Sequence, residues 1–99
     1  MYKLNKTVVC ADGFSMSVQA GVGNYCKPRQ PDADRYTAVE VGFPSHEEPL
    51  LLQYAAEPDY PTDTIYAYVP VQVVTDVIAK HGGMIKGEVP AGIPTLWAN

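Results

Sequence analysis

The sequence predicts a small α+β domain: an antiparallel sheet with an N-terminal hairpin, packed against one or two helices. Asp12-Gly13 lies between two strand-like runs, and that pair is a strong short-range hairpin signal. Residues 36–43 alternate between two faces as a half-buried strand does. Val73, Val74, Val77 and Ile78 recur at helical spacing. Ninety-nine residues with 46% hydrophobic content suit one domain, residues 1–99, with a single core.

Taken in order, Thr7-Val8-Val9-Cys10-Ala11 and Phe14-Ser15-Met16-Ser17-Val18 form the hairpin. A two-residue loop pairs Ala11 with Phe14, Val9 with Met16 and Thr7 with Val18, and puts those six on the core face. Val8, Cys10, Ser15 and Ser17 then take the opposite face. Residues 20–35 read as a long irregular connection broken by Gly21, Gly23, Pro28 and Pro31. In residues 36–43, Thr37, Val39, Val41 and Phe43 form the better core face. Pro44 stops the strand.

Ser45-His46-Glu47-Glu48 matches a capping box, with Leu50, Leu51, Tyr54 and Ala55 continuing a short helix to about residue 56. Residues 57–63 are a turn-rich acidic link. Residues 64–69 are a strand with Ile65, Ala67 and Val69 on one face and Tyr66 and Tyr68 on the other, roughly 7 Å apart. The clearest helix runs from Pro70 to about His81. Lys80 and His81 complement its negative end, and Gly82 supplies a left-handed cap. Residues 84–86 suggest a short edge strand. The tail carrying Trp97 packs on its own domain or reaches a neighbour.

The net charge of −4 and pI near 4.9 argue against nonspecific nucleic-acid binding, which needs a basic surface. They leave room for a small anionic ligand in a local basic pocket. No apolar run is long enough for a transmembrane helix. Residues 1–6 offer no apolar stretch for a signal peptide, so a cytoplasmic location is expected. Cys10 and Cys26 fit that location as reduced thiols. No cofactor or metal is expected, since no metal-ligand spacing occurs.

The 20–35 connection carries Tyr25, Lys27, Arg29 and Arg35. Guanidinium and ammonium groups suit phosphate, and a ring suits stacking on a base. A solvated loop is the plainer account of the same charges. The functional account expects Tyr25, Lys27, Arg29 and Arg35 to bind a ligand together with Tyr66 or Tyr68. Seven tyrosines exceed what a core this size requires and suit contact surfaces. His46 and His81 fall at predicted helix ends, the acids lack a defined spacing, and Cys26 lacks a histidine partner. No enzyme is expected.

Asp12-Gly13-Phe14-Ser15-Met16-Ser17-Val18-Gln19-Ala20, Asn24-Tyr25-Cys26-Lys27-Pro28-Arg29, residues 36–45, Tyr66-Ala67-Tyr68-Val69-Pro70 and His81-Gly82-Gly83 together resemble a group of small proteins of tailed bacteriophages and prophages. That group is known by origin more than by activity. The resemblance implies an accessory role in an infected bacterium, such as counter-defence or host takeover, and it brings no catalytic residue. Two functions follow as expectations. One is an oligomeric sponge sequestering a nucleotide-derived host signal, ADP-ribose-like or a cyclic nucleotide. The other is an acidic inhibitor that binds a host protein directly.

Overall fold

The computed structural model describes residues 4–99. Five strands, β1 (Val8–Cys10), β2 (Ser15–Gln19), β3 (Ala38–Gly42), β4 (Ile65–Pro70) and β5 (Met84–Lys86), form one antiparallel sheet in the order β4-β3-β2-β1-β5. Helix α1 (Val71–Lys80) leaves β4 directly. Val74, Val77 and Ile78 are buried, and Val73 packs at the margin of the core. The fold class is the one the sequence predicts, an α+β domain with an N-terminal hairpin.

The hairpin register differs from expectation by one residue. Val8 pairs with Met16, and Cys10 donates its N–H to the Phe14 carbonyl at 2.8 Å. Ala11, Asp12 and Gly13 therefore make a three-residue loop, closed by Gly13 N–H on the Cys10 carbonyl, with Gly13 at φ 95°. That is a turn ending in a left-handed residue. Asp12 Oδ1 accepts the Phe14 N–H at 2.9 Å and fixes the loop. A one-residue slip inverts a strand: Val8 and Cys10 lie in the core with Phe14, Met16 and Val18, while Thr7 and Ala11 are exposed.

Val39 and Val41 are buried as expected, but the ends of that stretch differ. Thr37 and Phe43 are exposed, Phe43 at φ 48°, and Tyr36 is buried with its hydroxyl donating to the Gln30 carbonyl. The faces of β4 also differ. Val39 pairs with Val69 and Val41 with Tyr66, so an extra residue bulges between them, and Tyr68 sits at φ 52°. A bulge re-aims side chains. Tyr66 and Val69 enter the core together and Tyr68 turns outward.

No α-helix forms over residues 45–56, only a 3-10 turn at Leu52–Tyr54. Ser45 is not a helix cap, because its Oγ accepts the Ser15 N–H at 2.9 Å and its N–H donates to the Ser15 carbonyl at 2.8 Å. Glu48 does not reach back to Ser45. It turns inward with Leu51, and both are fully buried.

The C-terminal tail packs on its own chain. Met84 N–H donates to the Leu96 carbonyl at 2.7 Å and Ala98 N–H to the Met84 carbonyl at 2.9 Å, so the tail lies beside β5.

Candidate functional site

The 20–35 connection is strapped to the β3–β4 side of the sheet by main-chain bonds. Lys27 N–H donates to the Ala38 carbonyl at 3.0 Å, and Thr37 N–H donates to the Lys27 carbonyl at 2.8 Å. Tyr25 is held at both ends: its N–H donates to Glu40 Oε1 at 3.0 Å, and its carbonyl accepts the Tyr68 N–H at 3.1 Å. Cys26 anchors the strap from inside, buried with its Sγ 3.3 Å from the Gly21 nitrogen. The thiols are separate; neither Cys10 nor Cys26 is in a disulfide, and burial followed by the Asp12 charge pushes the Cys10 thiol up.

Four of the residues singled out from the sequence meet where this strap bonds to β4. The Tyr25 and Tyr68 rings are 5.8 Å apart, edge to face at 61°. The Arg29 guanidinium lies 5.3 Å from the centre of Tyr25, and Lys27 Nζ lies 5.7 Å from the centre of Tyr68. The order Arg29–Tyr25–Tyr68–Lys27 is therefore a continuous ladder of cation and ring contacts. Tyr25 and Tyr68 are 42% and 40% exposed, so both rings of the ladder reach the surface. Arg29 Nε donates to the Val22 carbonyl at 3.1 Å. Among the described residues, the ion pairs involve only Lys80, His81, Asp12 and Glu48, so neither Lys27 nor Arg29 has a carboxylate within pairing distance.

Tyr66 and Arg35 stand apart from the ladder. Tyr66 is fully buried, its hydroxyl donates to the Pro61 carbonyl, and burial together with the Glu47 charge pushes its pKa up. The Arg35 side chain runs alongside Gly92.

A second polar cluster has no counterpart in the sequence reading. His81, just past the end of α1, puts Nδ1 2.6 Å from Asp12 Oδ2 and Nε2 2.7 Å from Glu48 Oε1. Glu48 Oε2 accepts from Lys80 at 2.9 Å and from the Leu50 N–H at 2.9 Å. Phe14 stacks on the imidazole at 4.1 Å and 11°. Burial opposes charge on His81, but the hydrogen bonds and charges of Asp12 and Glu48 outweigh it and raise its pKa above the usual histidine range. Burial would raise the pKa of Glu48, yet the Leu50 N–H, Lys80 and His81 hold it low. The Phe14 N–H, then His81, lower Asp12. A hollow of about 270 Å³ lies beside this cluster, lined by Asp12, Phe14, His46 and His81.

Both ring nitrogens of His81 are thus engaged by carboxylates. Among the described residues no group of three or more His, Cys, Asp or Glu is arranged to hold a metal ion, and no helix is long and apolar enough to cross a membrane. Comparisons with protein-family models, with curated proteins and with solved structures found no match.

Proposed function

We propose that the chain is a non-enzymatic binding protein, of the phage accessory kind its sequence resembles, that sequesters a nucleotide-derived ligand on the Arg29–Tyr25–Tyr68–Lys27 ladder. The observation that carries this reading is the convergence of two cations without carboxylate partners on two exposed rings. In a chain of net charge −4, such cations are available to a phosphate, while the rings offer a face to a base. Sequestration needs binding alone. Self-association belongs to the same proposal: a second copy would close the open side of the ladder.

Isothermal titration against ADP-ribose and a panel of cyclic nucleotides tests it. Binding that is lost in Arg29→Ala and Lys27→Ala supports the reading, and no heat at millimolar ligand removes it. One feature favours a second reading, an inhibitor docking on a basic host protein. Tyr60 is 63% exposed amid Glu57, Asp59 and Asp63, the aromatic-plus-acid composition that suits such a contact.

A further inference from the structure

We propose that the Asp12–His81 contact is a pH-operated clasp on the β1–β2 hairpin, closed while the imidazole carries both protons and opened when it loses one. Ionised carboxylates only accept hydrogen bonds, so the two contacts of His81 require two N–H groups. A neutral ring has one. Its two partners then compete for a single donor.

The surroundings of the two carboxylates decide which one lets go. The Glu48 side chain is 1% exposed, so losing the imidazole there leaves Oε1 buried without a donor, with Lys80 and the Leu50 N–H holding only Oε2. The Asp12 side chain is 52% exposed, and water can replace the imidazole at its Oδ2. The neutral ring therefore keeps Nε2–H on Glu48 and turns its Nδ1 lone pair toward Asp12. Two acceptors at 2.6 Å repel, and Asp12 moves out. Asp12 Oδ1 also holds the Phe14 N–H, so this motion pulls on the 11–13 loop. The Phe14 ring loses its stacked cation in the same step.

The other charged or titratable groups around the ring act in fixed directions. Lys80, from α1, stays with Glu48 Oε2 and offsets part of its charge, so the imidazole is kept there by the burial of Oε1 and not by want of a cation. His46 also lines the hollow and engages Ser45 Oγ through its own Nδ1. Departure of Asp12 widens the hollow between His46 and His81.

The test is NMR of the ring nitrogens and of amide exchange across a pH series, on the full chain with His46→Gln so that His81 gives the only histidine ring signals. His81 should hold both protons beyond the usual histidine range and then become the Nε2–H tautomer. Exchange at the amides of Asp12, Gly13 and Phe14 should rise at the same midpoint. Asp12→Asn in this background should lower that midpoint and abolish the hairpin response. An Nδ1–H tautomer, hairpin amides indifferent to the titration, or a midpoint unmoved by Asp12→Asn overturns the clasp.

Discussion

Glu40 accepts the Tyr25 N–H at 3.0 Å, and this one carboxylate ties the strap to the centre of β3. Bonds from charged acceptors are stronger than neutral ones. Glu40→Ala should cost about 1 kcal/mol of stability, measured by denaturant titration, and raise amide exchange at Tyr25. Glu40→Gln, which keeps an acceptor, should recover part of both.

On the ladder itself, Arg29→Ala should weaken binding of a phosphate-bearing nucleotide by about 10–150-fold, the equivalent of one charge-assisted bond of roughly 1.5–3 kcal/mol. Lys27→Ala should act in the same direction. Neither change should shift the melting temperature by more than a degree or two, because both side chains are exposed. Calorimetric titration and thermal melts on the same samples separate the two effects.

Stability should depend on pH from both sides. Asp12 and Glu48 have lowered pKa values in the fold, so their contribution is complete above the ordinary carboxylate range and fades as pH falls through their folded values. His81 has a raised pKa, so its contribution is complete below the ordinary histidine value and fades as pH rises through the folded one. Urea melts should show a plateau between the two limbs, and His81→Gln should remove the part of the alkaline limb nearest neutrality, leaving the part at higher pH that the raised Cys10 and Tyr66 contribute. Glu48→Ala should lower stability by about 3 kcal/mol at the plateau, since it leaves the imidazolium without its buried partner.

Gly87 lies at φ 115°, and a Cβ there would meet the Thr7 carbonyl oxygen at 2.4 Å and Val8 Cα at 2.6 Å. The Thr7–Val8 backbone cannot yield, so Gly87→Ala should cost about 2 kcal/mol or more by forcing β5 off β1. Gly23→Ala is the control: a Cβ there meets nothing within 4 Å, and its melt should match that of the wild type.

The elements legible in the sequence were those set by local chemistry. The Val74, Val77 and Ile78 stripe and the Val39–Val41 alternation each need only one period. The hairpin was legible, but its register was not. Asp12 accepting the Phe14 N–H draws Ala11 into the loop, and Asp-Gly alone does not distinguish two loop residues from three. The Tyr68 bulge leaves no periodic mark, so alternation puts Tyr66 and Tyr68 on one face, whereas the structure sends Tyr66 into the core and Tyr68 outward. The meeting of Tyr25, Lys27 and Arg29 with Tyr68 was legible because three of the four share one short loop. The cluster around His81 was not, since its acids lie 69 and 33 positions away in the chain. Glu48 gave the misleading signal, because a serine three residues before a glutamate is the same string whether or not a helix follows.

The tail alongside β5 also limits how copies of this chain can associate. Both outer strands of the sheet spend main-chain bonds on their own coil: Met84 of β5 on Leu96 and Ala98, and Ile65 and Tyr68 of β4 on Ala56 and Tyr25. Open strand edges are where sheets recruit further strands and aggregate. These bonds shield the Met84 end of β5 and the Ile65 and Tyr68 positions of β4 from pairing with another strand.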